Sequence, residues 1–423
     1  MRKLKIAVIG AGSTYTPELI DGFLTRIGKL DVSEFYMMDI DSRKNSIVSA
    51  FARRMVKERG LDIPVIETSD PVEALTGANY VVAQVRVGKL PARVLDEKIP
   101  LKYDLIGQET VGAGGFFKGL RTIPVIENVA KIIKEKAPGA WLINFSNPSG
   151  ILAEMLTQMG IKSVGLCNAP IGIEKTLRRL TGNPADFDFD YVGLNHFNWI
   201  TSVRANGKDV LQDLLAEGEL QALASSPDTG CMRRIGGIPS YYLNYFYNRE
   251  KVVADFKVRP TTRGEDCIAI EEDLLKMYQD ESLVSKPALL DKRGGAFYSE
   301  AAVSLIDAIE NDRNSVHVVN VDHAGTIPFL QRGEVAEVKC IVGKDGPKPI
   351  PLMNTQISGH IQGMIQAVKA YEKLAVKAGL SGDYDTGISA LMTNPLVGDY
   401  NKAKAVFDDL LEAHREYLPR FFK

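Results

Sequence analysis

The chain predicts an α/β fold: a Rossmann-like, doubly wound parallel sheet with a second α+β domain packed tightly on it. Three observations carry that expectation. Short apolar runs alternate with helical patterns from Lys5 to Cys167, which implies parallel strands with helices on both faces. The first run ends in Gly10-Ala11-Gly12-Ser13-Thr14, a glycine-rich turn from strand into helix. Beyond His196 the order changes to a hairpin, helices and two late strands, with no linker between the halves. The expected division is 1–195 for dinucleotide binding and 196–423 for substrate and catalysis, and 423 residues are enough for two cores.

Residues 5–9 read as a buried strand. Thr16 is the expected N-cap of the helix that follows, and Pro17 suits its first turn. Leu19, Ile20, Phe23, Leu24 and Ile27 recur at helical spacing. The N–H groups and dipole at that helix start suit a pyrophosphate. The fingerprint G-x-G-x-x-G is matched in part, with Tyr15 in the third glycine's place. The strand at 34–38 ends in Asp39-Ile40-Asp41, where a carboxylate can hold ribose hydroxyls and repel a 2′-phosphate. The expected cofactor is therefore NAD, held by Gly10, Gly12, Ser13, Thr14 and Asp39.

Further strands are expected at 65–67, 80–85 and 141–145, and helices at 120–136 and 151–159. Between them, residues 86–115 are polar and rich in glycine, including Gly112-Ala113-Gly114-Gly115. Ordering such a segment is costly, and it reads as a ligand-binding loop. Residues 162–167 read as a strand that delivers Cys167 and Asn168 to its carboxyl end, where open α/β sheets bind ligands. Gly193-Leu194-Asn195-His196 ends a second such run. A thiolate and an imidazole in one cleft can bind a divalent transition metal, and the asparagines can hydrogen-bond a polyhydroxylated substrate. A hairpin turning at Ala205-Asn206-Gly207 follows. Then come the aromatic cluster 241–247, helices at 271–278 and 299–309, strands at 316–321 and 335–342, and a helical tail.

Composition excludes several classes. The net charge of −2 offers no basic excess for nucleic acid or a membrane surface. No apolar run approaches the ~18 residues of a membrane span. Cys167, Cys231, Cys267 and Cys340 form no C-x-x-C pair, which speaks against a disulfide framework and for a reducing, cytoplasmic compartment.

Several motifs together resemble one family. They are Gly10-x-Gly12-Ser13, Arg86-Val87-Gly88, Ile99-Pro100-Leu101-Lys102-Tyr103, Gly107-Gln108-Glu109-Thr110, Asn144-x-Ser146-Asn147-Pro148, Leu166-Cys167-Asn168 and Gly193-Leu194-Asn195-His196. Lys292-Arg293-Gly294-Gly295 and Thr393-Asn394-Pro395-Leu396 follow in order. Over nearly its whole length the chain resembles glycoside hydrolase family four, the NAD- and manganese-dependent glycosidases, an exception to two-carboxylate hydrolysis.

The resemblance implies that NAD⁺ takes a hydride from carbon 3 of the sugar, which acidifies the proton on carbon 2. A base removes that proton, the aglycone leaves carbon 1 by elimination, and water addition and hydride return complete the cycle. It implies Cys167 and His196 as ligands of Mn²⁺ or another divalent metal, Tyr242 as the base, and Glu109 as the residue that raises its basicity. Arg93, Asn147, Asn168 and Arg263 match substrate-binding positions, and arginine forks suit a sugar 6-phosphate. Cys167-Asn168 resembles the 6-phospho-β-glucosidases, whereas members acting on α-linked substrates look to carry an aspartate second.

The expected enzyme thus hydrolyses a phosphorylated disaccharide such as cellobiose 6-phosphate, or an aryl glucoside 6-phosphate, to glucose 6-phosphate, as a homodimer or homotetramer. The alternatives are a 6-phospho-α-glucosidase or another specificity of that family, an NAD-dependent 2-hydroxy-acid dehydrogenase, and a non-catalytic NAD-binding sensor. One departure is His323-Ala324-Gly325, where the family often reads Asn-Asn-Gly.

Overall fold

A computed structural model describes residues 2–216, 220, 229–293 and 298–423. Its frame is a nine-stranded sheet. Six parallel strands come first: β1 (Leu4–Ile9), β2 (Val32–Met38), β3 (Val65–Thr68), β4 (Tyr80–Ala83), β5 (Trp141–Asn144) and β6 (Ser163–Gly165). Their spatial order is 3-2-1-4-5-6, the order of a dinucleotide-binding sheet, in which the chain reverses direction of travel between β1 and β4. The strands are apolar runs rather than alternating ones. All four residues of β4 are buried, as are five of the six in β1. A sheet covered by helices on both faces requires that.

The chain then builds a smaller antiparallel sheet from β7 (Asp188–Leu194), β8 (Phe197–Ala205), β9 (Lys208–Asp209) and β10 (Ile238–Pro239). Three late strands return to the first sheet: β11 (Ser315–Asp322), β12 (Val335–Gly343) and β13 (Gly346–Pro349). They run antiparallel, and β11 joins β6 through the pair Asn320 and Gly165. The two halves of the chain therefore share one sheet, and the boundary expected after residue 195 falls in the turn between β7 and β8.

Two local expectations are corrected. Thr16 does not cap its helix. The N-cap of Thr16–Leu24 is Tyr15, while the Thr16 hydroxyl donates to Ala11 O at 2.7 Å and accepts from Gln84 Nε2 at 2.6 Å. Nor is 86–115 one open loop. It contains the helix Lys89–Lys98, and the helix expected from 120 begins at Gly112 and runs to Lys136. The glycines there answer to packing. A Cβ on Gly114 would stand 2.4 Å from Asp96 O, so only glycine lets that first turn pass so close.

The same helix helps fasten the end of the chain. Arg121 grips Asp96 with both terminal nitrogens, at 2.9 and 2.7 Å, and His414 Nε2 lies 2.9 Å from the same carboxylate. All three side chains are buried.

The turn from β7 into β8 is a two-residue hairpin connection, Asn195-His196, closed by the pair Leu194 and Phe197. Gly193 just before it has φ +148, and a Cβ there would sit 2.3 Å from Phe197 O. Gly193→Ala is expected to destabilise the fold by roughly 3 kcal/mol, from backbone strain plus the clash. Urea unfolding followed by circular dichroism checks this, and an unchanged midpoint would contradict it.

Candidate active site

The functional side chains leave the sheet at the carboxyl ends of its parallel strands. Gly10, Gly12, Ser13 and Thr14 follow β1, Asp39 follows β2, and Arg86 lies just past β4. Asn147 follows β5, while Cys167 and Asn168 follow β6. His196 reaches the same place from the β7–β8 turn, at φ +61, a backbone state that non-glycine residues seldom hold.

Cys167, His196 and Tyr242 come together. The Tyr242 ring stacks on the His196 imidazole, with centroids 3.9 Å apart and planes 23° apart. Burial and the Lys118 cation push the imidazole down to about 3, so it is neutral at physiological pH. Its Nδ1 is buried with no hydrogen-bond partner. Burial, reinforced by the Glu337 carboxylate, pushes the Cys167 thiol well up, and Ala169 N lies 3.4 Å from its sulfur. Burial also holds the Tyr242 phenol well above its ordinary range, with Tyr241 and Cys167 adding to the effect.

A neutral imidazole with an orphaned nitrogen beside a buried thiol fits a divalent metal, whose binding would draw off the thiol proton. Among the described residues no group of three His, Cys, Asp or Glu converges on one point. Two protein ligands leave the remaining positions open, as a catalytic site requires.

Glu109 is the hub of a buried charge cluster. Arg86 and Lys118 meet its Oε2, Lys118 at 2.8 Å, while Arg93 meets Oε1 at 2.9 Å. Despite its burial, the cations around it hold its carboxyl well below the usual range, Arg86 foremost. Arg93 also donates to Glu97 at 2.7 Å, and Glu97 in turn accepts from Gly264 N at 2.7 Å. Two guanidiniums, Arg86 and Arg93, face two carboxylates here, with the Lys118 amine beside them. Burial and the Arg86 cation push Lys118 down to about 7. Both Glu109 oxygens are engaged by cations, and its charge bears on the His196 imidazole.

Of the other expected substrate residues, Asn147 keeps a buried Oδ1 without a partner. Asn168 stands at the N-cap of the helix Ala169–Leu180 but makes no side-chain capping bond to it. Arg263 begins the helix Arg263–Gln279, and its guanidinium donates to the carbonyls of Lys292 and Arg293 at 2.8 and 3.1 Å. The neighbouring Gly294 and Gly295 lie outside the described residues. His323 packs rather than facing a ligand. It is fully buried, its Nδ1 accepts from Gly325 N and Ile327 N, and its Nε2 lies 2.9 Å from Gln331 O.

The glycine turn after β1 and the carboxylate after β2 lie together. Asp39 Oδ2 accepts from Gly12 N at 2.8 Å and Oδ1 from Asp41 N at 2.9 Å. A carboxylate has about four acceptor positions, so room remains for ribose hydroxyls. Thr14 Oγ1 is buried without a partner at the helix start, where a pyrophosphate would lie. These residues fit a dinucleotide.

Comparison with known proteins bears on this geometry. Residues 5–183 match the model of the family 4 glycosyl hydrolases, and residues 191–397 that of the family 4 glycosyl hydrolase C-terminal domain. A probable 6-phospho-beta-glucosidase of Bacillus subtilis is 40% identical, over 99% of this chain and 98% of its own length. The 6-phospho-beta-glucosidase of Thermotoga maritima, solved with NAD and glucose-6-phosphate, superposes with a TM-score of 0.91 at 34% identity, covering 99% of both chains. A second structure of that protein, holding manganese, NAD⁺ and glucose-6-phosphate, gives 0.90 at 33% identity, over 98% of this chain and 99% of that one.

Sequence reasoning missed Glu337 on β12. Its buried carboxylate accepts from Tyr191 at 2.7 Å and from Asn195, Asn198 and Asn320 at 3.1 Å each. Burial pushes it up to about 7, against the bonds from Tyr191, Asn195 and Asn320. The sequence signal was one acidic residue inside an apolar run, Val335-Ala336-Glu337-Val338, which a solvated strand face would explain equally well. Glu337→Ala leaves four donors facing a void and is expected to cost about 3 kcal/mol. It should also weaken Mn²⁺ binding, read by electron paramagnetic resonance of the free ion. A variant with unaltered stability and Mn²⁺ affinity would show that the carboxylate holds nothing in place.

Proposed function

The chain belongs to the family 4 glycosyl hydrolases, and on that premise we propose how its site works as a 6-phospho-β-glucosidase requiring NAD and a divalent metal. It hydrolyses a 6-phospho-β-glucoside to glucose 6-phosphate and an aglycone. The observation that carries our assignment of residues is the Tyr242 ring lying against His196, beside Cys167. A phenol held this far above its ordinary range becomes a base only against a nearby cation. Placed on a metal ligand, Tyr242 meets that condition.

We assign Cys167 and His196 to the metal, the Gly10–Thr14 turn with Asp39 to NAD, and Tyr242 to the proton on carbon 2. When bound, NAD⁺ supplies a hydride acceptor and the metal a positive charge that stabilises the oxidised sugar. Arg93 and Arg263 attract the 6-phosphate dianion. The orphaned Oδ1 of Asn147 accepts from a sugar hydroxyl. Asn168 orients the leaving side of the sugar but has no proton to give to the departing oxygen, which favours β-linked substrates with good leaving groups. Among the described residues, no helix is long and apolar enough to cross a membrane. We place the enzyme in the cytoplasm, as a homodimer or homotetramer.

Turnover of 4-nitrophenyl β-glucoside 6-phosphate in D₂O, with NAD⁺ and Mn²⁺, tests the mechanism. Deuterium is expected at carbon 2 of the product, with no accumulation of NADH. Product without deuterium would sink the proton abstraction, and NADH formed in step with product would mark a dehydrogenase. Tyr242→Phe is expected to lower kcat roughly 100- to 10,000-fold with KM and the unfolding midpoint little changed. A kcat within tenfold of the parent would remove Tyr242 from the role of base.

A further inference from the structure

A small cavity lies behind the segments that carry the site. Thr110, one residue past Glu109, Pro148, one past Asn147, and Asn195, one before His196, all line it. The helix Gly359–Ser381 supplies a further wall with Tyr371 and Glu372. The volume is about 30 Å³, room for one water molecule or two. Glu372 belongs to none of the machinery assigned above, yet it is a carboxylate only 5% exposed. Its Oε2 accepts from Lys369 Nζ at 2.6 Å, and Lys369 also meets Glu154 at 3.0 Å. Among the described residues no donor meets Oε1. A Cβ on Gly150 would stand 2.4 Å from that oxygen and 3.3 Å from Asn195 Cβ, so Glu372 Oε1 and the Asn195 side chain flank one point. A buried carboxylate oxygen without a protein donor, facing a space of that size, needs a donor from elsewhere.

Two neighbours complement that oxygen. Asn195 gives its Nδ2 to Glu337 Oε1 at 3.1 Å, which leaves its Oδ1 to accept. The Asn394 side chain donates to the Tyr371 hydroxyl oxygen, which leaves the phenol proton to give. A water molecule placed among them donates to Glu372 and Asn195 and accepts from Tyr371, the number of bonds usual for a buried water. We propose that this cavity is an ordered-water site and that Glu372, acting through it on Asn195, is a positioning residue for the turn that carries His196. Glu337 takes the Asn195 amide by its nitrogen, and the water held by Glu372 takes it by its oxygen. An outer partner of this kind fixes the orientation of a metal ligand without touching the metal. The inference rests on the reading of His196 as a metal ligand and extends it to what holds that ligand in place.

Two measurements on the full chain test this. A crystal structure of the parent protein, at a resolution that shows ordered water, is expected to hold a water within hydrogen-bonding distance of both Glu372 Oε1 and Asn195 Oδ1. A dry cavity, or water touching neither atom, overturns the proposal. Mn²⁺ affinity is then read with NAD⁺ present, by electron paramagnetic resonance of the free ion. Glu372→Met removes the acceptor at similar size, and Lys369 keeps its bond to Glu154. It is expected to weaken Mn²⁺ binding about 10-fold, the lower end for losing an outer partner of a metal ligand. Glu372→Gln keeps a hydrogen-bonding group toward the water and is expected to bind Mn²⁺ as the parent does. A loss that Glu372→Gln fails to restore assigns the effect to charge and overturns the proposal. So does a Glu372→Met variant that is less stable but binds Mn²⁺ like the parent, since the carboxylate then only supports the fold. His196→Ala separates the two possible failures. If it binds Mn²⁺ as tightly as the parent, the metal reading falls and the proposal with it. If it loses Mn²⁺ while Glu372→Met binds as the parent does, the proposal alone falls.

Discussion

The hydrogen bonds that converge on Glu337 hold the two halves of the site in register. Asn195 precedes His196 in the hairpin turn, and Asn320 also donates to Gly165 O at 3.3 Å, two residues before Cys167. One buried carboxylate on β12 thereby ties the segment that brings the imidazole to the segment that brings the thiol. A buried acid with fewer partners would stay protonated and bind loosely. Four donors offset part of the cost of burying that carboxyl.

Electrostatics set the resting state of the site. Burial keeps the Cys167 thiol and the Tyr242 phenol protonated and the His196 imidazole neutral. The same low-polarity surroundings hold Arg86, Arg93 and Lys118 around Glu109.

Much of this was legible in the residues. Apolar runs marked β1, β2, β4 and β5 because strands covered on both faces must be apolar throughout. The glycine turn follows β1 and Asp39 follows β2, as the alternation of runs implied. Cys167 fell beyond β6 although that strand is shorter than its apolar run. The misreadings have physical causes. Gly112 to Gly115 look like a loop because glycine serves both open turns and tight packing, and only the position of Asp96 O decides between them. Glu337 and the Glu109 cluster depend on contacts between distant parts of the chain, which no local pattern carries. His323 stood out as a departure from a family motif, yet its ring is spent on its own loop. Tyr242 lay unmarked within an aromatic run until a resemblance singled it out.

The return of β11 to β6 bears on how the protein is made. The outer edge of β6 is covered by a strand that begins only at Ser315. As the nascent chain leaves the ribosome, the first six strands can assemble while that edge stays open, an invitation to pairing with other chains. The brevity of β6, three residues from Ser163 to Gly165, shortens the exposed stretch during that wait. The hairpin of β11 and β12 then covers that edge and brings Glu337 to its four donors.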